Sequence, residues 1–282
     1  LKNGISIGAR TVNGLGRIGC KDISLEHYDF TKPEDVKAWL LRKVGTSVAI
    51  PERRMIAEKD LVIDMECYLE DTVLIKSIFE EVWEDKSVAL FIPGTSIKGV
   101  LRHHCSRILQ ALGRSNKAVD ALFGYSIEKT NESRKGRVMV DEVYFDKSFT
   151  QEEQPRIRMD RFTGGAMNGA LFQDHPVRKG KGKELVFPLR MTVKDCSDSE
   201  AGLVLLLVKD LMAGQITLGA NRTIGYGRIK GNSVTVQYHG ESYGIDGTGK
   251  VMEGEATKLE SLVQALHQST DDTMLAKEGA HE

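Results

Sequence analysis

The stretch FIPGTSIKGVLRHHCSRIL (91–109) carries the residue types best suited to hold an anion. Pro93 and Gly94 end an apolar run, and Thr95 or Ser96 is placed to cap a helix running from about Thr95 to Leu112. The start of such a helix offers unpaired backbone N–H groups and the positive end of its dipole. With Lys98 and Arg102 on neighbouring turns, that end favours a phosphate. An ordinary capped helix with exposed basic residues has the same sequence features. His103, His104 and Cys105 are consecutive, so their side chains diverge around the helix and cannot share one metal ion as an i, i+4 pair would.

Two further strings suggest phosphate chemistry at first sight. GLGRIG (14–19) has the Gly-x-Gly-x-x-Gly spacing of a dinucleotide cradle, but CKDISLEHYDF follows it without helical period, and the next helix signal waits until Pro33. GIDGTGKV (244–251) resembles a phosphate-binding loop, yet Val251 stands where a hydroxyl would meet magnesium, and no helix clearly follows. RKGKGKE (178–184) is a basic, flexible loop suited to phosphate or simply to solvent.

The whole chain narrows the field. Its 282 residues are 40% hydrophobic and 28% charged, as in ordinary globular proteins, and the net charge of −1 requires any nucleic acid to be held by a local basic patch. Cys20, Cys67, Cys105 and Cys196 lie far apart, which excludes a zinc knuckle and a disulfide framework and fits a reducing cytoplasm. No stretch approaches the roughly 18 apolar residues of a membrane span.

An internal repeat organises the rest. At a constant offset of 211, Ile5, Gly8, Ala9, Gly14, Gly16, Arg17 and Ile18 match Ile216, Gly219, Ala220, Gly225, Gly227, Arg228 and Ile229. Each copy reads as a short β-branched run, a glycine-rich loop and a Gly-Arg-Ile entry into a second strand. The second copy closes a domain, so the first is expected to close another.

Between the copies, LVIDMECYL (61–69), GRVMVDEVYF (137–145) and ELVFPLRMTV (184–193) read as strands, and further elements are a helix over about 199–213 and a strand over about 226–238. The order β-α-β-β-α-β predicts an α+β, ferredoxin-like (RRM-like) unit: an antiparallel sheet with two helices on one face. On the flanks, DFTKPEDVKAWLLRKV (29–44) predicts a helix with Thr31 as N-cap and an apolar stripe through Val36, Trp39 and Leu40, and EATKLESLVQALHQ (255–268) predicts a C-terminal helix. The expected organisation is residues 1–45 as the end of a preceding domain, 46–60 as a linker, 61–240 as the main domain with an insertion at about 147–184, and 241–282 as a C-terminal helix and tail.

IPGTSIKGVLR, a much later GANRTIGYGRI and, between them, MDRFTGGAMNGALF (159–172) resemble the repeat-associated mysterious protein (RAMP) superfamily of CRISPR–Cas effector complexes, in particular the Cas7-like backbone subunits of type III systems. The resemblance implies a RAMP fold whose insertion is a thumb. It implies guide-RNA binding by Ser96, Lys98, Gly99, Arg102, His103, Asn221 and Arg222. A thumb formed by Arg161, Phe162, Thr163, Gly164, Gly165, Met167 and Phe172 would displace a base, in keeping with the way apolar wedges unstack nucleotides. For cleavage of target RNA the family places an aspartate before the Pro-Gly turn, acting with Mg2+ or another divalent cation. Here the available acids are Glu80, Glu81, Glu84 and Asp85, with Asp85 first by residue type, and a solvated acidic loop is the alternative. Implied partners are the guide (cr)RNA, target RNA and neighbouring or fused RAMP units, with no membrane. A metal-independent guide-processing endoribonuclease and a non-catalytic scaffold share the fold. His27, His103, His104 and His175 form no evident catalytic constellation for the first of these.

Overall fold

The computed structural model describes residues 5–6, 17–18, 26–48, 59–75, 81–82, 88–89, 91–127, 132–145, 149–179 and 186–269. They divide into two compact units, one within residues 1–56 and the other built from residues 57–282. In the first, β1 (Ile5–Ser6) pairs with β2 (Arg17–Ile18), and β3 (Glu26–His27) and β4 (Thr46–Ser47) flank the helix α1 (Pro33–Leu40). The N-cap of α1 is Lys32, not Thr31. Thr31 instead directs its hydroxyl and backbone N–H to Asp29 Oδ1, while Pro33 supplies the preset φ of a first helical residue. Trp39 and Leu40, read as an apolar stripe, are exposed, and Trp39 packs edge-on to Phe30.

The second unit is organised by β5 (Leu61–Leu69). Its alternation is strict from Ile63, with Ile63, Met65, Cys67 and Leu69 buried and Asp64, Glu66 and Tyr68 turned the other way. After it come β6 (Thr72–Val73), β7 (Glu81–Val82), β8 (Val88–Ala89), β9 (Phe91–Ile92), α2 (Gly94–Ala111), α3 (Lys117–Phe123), β10 (Gly124–Ile127), β11 (Glu132–Lys135) and β12 (Val138–Val140). The run 137–145 is therefore not one strand. Asp141 and Glu142 break it, and β13 (Val143–Tyr144) leaves the main sheet to pair with β9. Next are β14 (Phe149–Gln151), β15 (Gln154–Met159), β16 (Ala166–Asp174), β17 (Val177–Lys179), β18 (Val186–Val193) and α4 (Asp198–Met212). The chain then forms β19 (Ile229–Tyr238), β20 (Glu241–Asp246), β21 (Val251–Glu253) and α5 (Ala256–Gln268).

The main sheet has the order β12-β18-β5-β19-β20-β21 and is antiparallel throughout. Helix α2 lies in the connection from β5 to β12, and α4 in that from β18 to β19. The chain is thus a mixed α/β protein. Ile63 and Met65 of β5 and Leu189 and Met191 of β18 face Leu101 of α2 and Leu207, Val208 and Leu211 of α4, which makes the core. Removing one such side chain from water is worth about 2 kcal/mol. Helix α4 starts on a capping box in which Ser197 and Glu200 exchange hydrogen bonds, and buried Glu200 also pairs with Arg137. Gly202 lets α5 approach closely, since a Cβ there would lie 2.2 Å from the Leu262 carbonyl.

Strands β20 and β21 extend the sheet through a segment read as helix and tail. GIDGTGKV is their turn: Asp246 accepts from the N–H groups of Thr248 and Lys250 and from the Thr248 hydroxyl, while Gly249 takes φ +85°. That turn chemistry explains its glycines without any phosphate.

Candidate nucleic-acid interface

Helix α2 begins one residue before the expected cap. Pro93 is the N-cap, no side chain caps the helix, and Ser96 and Ile97 both donate to the Pro93 carbonyl. No acidic residue occupies the first turn. Lys98 is half-buried and makes no hydrogen bond or ion pair among the described residues. Burial, followed by the charges of Arg102 and Lys135, pushes its ammonium down to about 8. A half-buried cation beside two others, at the positive end of a helix, would be relieved by an anion.

The other residues expected there divide. Ser96 and Gly99 share the first turns of α2, and His103 is exposed on its outer side. Arg102 is committed to the fold, donating to the carbonyl of Gly124, the C-cap of α3, and pairing with Asp120 in the middle of that helix. Its charge nonetheless reaches Lys98 and helps to push that ammonium down. His104 is buried and joins Asp210 of α4 at 2.7 Å, a helix-to-helix tie.

The glycine-rich loop between α4 and β19 is shaped by its backbone. Thr217 and Arg228 form a bridge, Leu218 N–H donates to the Gly227 carbonyl, Ala220 N–H to Leu74 O and Gly227 N–H to Thr72 O. A Cβ on Gly219 would lie 2.2 Å from Leu74 O and one on Gly227 1.8 Å from Leu218 O, and both glycines have positive φ. The pairing Ser6↔Arg17 in the first unit is the same register at the offset of 211. Arg222 projects from the loop into solvent. Asn221, in the left-handed region at φ +59°, instead donates through Nδ2 to Asp174 Oδ2 at 3.1 Å.

The insertion is an antiparallel hairpin, β15 against β16, with Gln154 opposite Asp174, Arg156 opposite Phe172 and Ile157 opposite Leu171. Asp160 organises its tip, accepting from Phe162 N–H through Oδ1, while Gly164 N–H donates to the Asp160 carbonyl. The register shifts between Ile157, opposite Leu171, and Met159, opposite Ala166, and Gly169 in the facing strand takes φ +70°. Phe162 is 100% exposed and Leu171 71%; Ile157, Met159, Met167 and Phe172 are exposed as well. Arg158, Arg161, Thr163 and Gly165 are also exposed. Six apolar side chains standing in water on a two-stranded ribbon are unusual unless something covers them.

Below them lies a network that the sequence did not disclose. Arg156 donates through Nη2 to Tyr226 OH at 2.7 Å, its Nε lies 3.1 Å from Asp174 Oδ2, and Tyr226 OH donates to Gln154 Oε1 at 2.7 Å. The guanidinium lies over the Tyr226 ring, 5.4 Å from its centre. Asp174 and Tyr226 are buried. The only sequence signals were an aspartate closing a run of alternating residues and a tyrosine between two glycines.

Of the candidate catalytic acids, Glu81 lies in β7, opposite Ala89; Glu80, Glu84 and Asp85 fall outside the described residues. Among the described residues no three His, Cys, Asp or Glu side chains converge to hold a metal. Among the same residues, no helix is long and apolar enough to cross a membrane.

The family model described as the RAMP superfamily matches residues 75–230, a span containing α2, the hairpin and the glycine loop. The chain belongs to the RAMP superfamily. Comparison with curated proteins gives no match. Membership is consistent with a CRISPR-associated, RNA-binding role, and the mixed α/β architecture is consistent with a RAMP fold.

Proposed function

We propose that this RAMP protein is a guide-RNA-binding backbone subunit of a type III-like CRISPR–Cas effector, built on a ferredoxin-like core. The interleaved strand–helix–strand connections and the sheet order support that topology. The observation that carries the functional reading is the hairpin Gln154–Asp174, which holds six apolar side chains in water above a loop bearing exposed Arg222. Phosphates at Lys98 and Arg222 would give sequence-independent affinity, and Phe162, Met167 or Phe172 would wedge between bases. The shared register of the two glycine loops supports a fused architecture with more than one RAMP unit.

Binding of short single-stranded RNA to the full chain tests this reading. Affinity should fall with salt and with Lys98→Ala and Arg222→Ala, whereas equal binding by the double variant would sink it. Cleavage of target RNA with a divalent cation is a separate proposal resting on Glu80, Glu81, Glu84 and Asp85. It fails if the assembled complex cuts complementary RNA equally well after all four become alanine. The processing alternative gains nothing from the histidines, since His104 is tied to Asp210 while His103 and His175 are exposed on separate elements. Cutting of precursor guide RNA in the presence of chelator would favour it.

A further inference from the structure

Beside the backbone pairing of β14, β17 and β6 at its foot, the hairpin has a side-chain anchor that ties both of its strands to the glycine loop. Asp174 is the pivot: buried, at the last position of β16, it receives Asn221 Nδ2 from the loop and faces Arg156 Nε from β15. Arg156 turns its Nη2 to Tyr226 of the same loop, and Gln154 Oε1 accepts a hydrogen bond from the Tyr226 hydroxyl. Two loop residues thus grip both strands of the hairpin at its base. A two-stranded ribbon has little rigidity of its own, so its direction is set where it is held.

We propose that this network is the positioning device of the thumb: Asp174 and Tyr226 fix the angle at which the hairpin leaves the glycine loop, so that a strand held at the loop by Arg222 meets the wedge residues at one register. This deepens the RNA-binding reading and rests on it for the role of the wedge. The positioning itself is a property of the protein alone. Asn221 is accordingly a thumb anchor, and Arg222 beside it is the phosphate contact.

Spin labels at Asn168→Cys on the hairpin and Gln264→Cys on α5, with Cys20 replaced by Ser, read the angle as a distance distribution without RNA. The other three cysteines are buried. Asp174→Asn and Asn221→Gly, the latter keeping the left-handed backbone available, should each broaden the distribution about twofold, and the double variant should be no broader than the broader single, because both cut one chain of contacts. Unchanged widths in both singles, or a double that broadens by their sum, would overturn the proposal. If Asp174→Asn fails to fold, Tyr226→Phe removes one hydroxyl and carries the same expectation. A second readout uses RNA containing 2-aminopurine: Asp174→Asn should bind within about twofold of the parent yet lose about threefold of the unstacking fluorescence. Full fluorescence with intact binding in that variant also overturns the proposal. Absence of RNA binding by the parent protein would sink the functional reading and leave the distance result standing.

Discussion

Strand β5 and the hairpin β15–β16 are both antiparallel and rich in apolar side chains, yet they relate to water in opposite ways. In β5 one face is buried against α2 and α4, and the sheet neighbours on both sides supply backbone partners. In the hairpin each strand has one partner, the other strand, and its apolar residues are exposed. The core strand is stabilised by what it covers, whereas the hairpin is held, among the described residues, at its foot, by the pairing of β14, β17 and β6 and by side-chain hydrogen bonds and an ion pair. Apolar surface in the first region has its partner within the domain, and in the second awaits one.

That contrast can be broken most decisively by truncating one residue of the hairpin and one of β18, where Phe187 pairs with Cys67 of β5. Phe187, buried and edge-on to Phe145 at 5.9 Å, should cost about 3–5 kcal/mol as Phe187→Ala in urea unfolding. Leu171→Ala in the hairpin should stay within about 0.5 kcal/mol. A comparable loss at Leu171 would show that the hairpin packs against something in the free protein.

The foot of the hairpin comes next. Gly227→Ala must place a methyl against the Leu218 carbonyl at positive φ and should cost about 2 kcal/mol or more, read by the same unfolding curves. Gly225, at φ +92° with open space around it, should lose only about 1 kcal/mol as alanine. Equal losses would mean that the close crossing of Gly227 on Leu218 contributes little.

Proton linkage at Lys98 sharpens the comparison on the RNA side. Its ammonium is held down to about 8 in the free protein, and a bound phosphate favours the charged form, so the complex keeps the proton to higher pH. Binding then takes up a proton above about pH 8, and affinity should fall there by up to about tenfold per pH unit. Lys98→Arg should flatten the profile between pH 7 and 9. A flat profile in the parent protein would remove Lys98 from the contact. The smallest effect is expected at Arg222→Ala, which should reduce the slope of log affinity against log salt by about one, without altering unfolding.

Much of the core was legible because its burial is one-sided. The alternation of 61–69 delimits β5, and the capped, apolar run after Ser197 gives α4. Where geometry depends on distant partners, local pattern fails. Glu241 to Glu253 contains three glycines and little apolar alternation, and it forms strands because β19 offers an edge. Val143 and Tyr144 continue the pattern of 137–140 but pair with Ile92 and Phe91, a choice made by tertiary contact. Of the residues expected to meet phosphate, Lys98 lies half-buried in the first turns of α2 and Arg222 is exposed. Arg102 was read as free, and its pairing with Asp120 depends on how α3 packs, which no spacing reveals. The Arg156–Asp174–Tyr226 cluster brings together positions 70 residues apart and needs the hairpin register before it can be seen.

The two glycine loops share their glycines and their strand pairing, but at the places of Asn221, Arg222 and Tyr226 the first copy has Arg10, Thr11 and Leu15. What the copies have in common is therefore their glycines and one strand pairing; the asparagine and tyrosine that grip the hairpin belong to the second alone. Because the spacing is identical, Arg10→Asn and Leu15→Tyr would install the two gripping side chains in the first loop without changing its length. A hairpin still needs its own arginine and aspartate to be gripped, so the anchorage cannot be transplanted by loop residues alone.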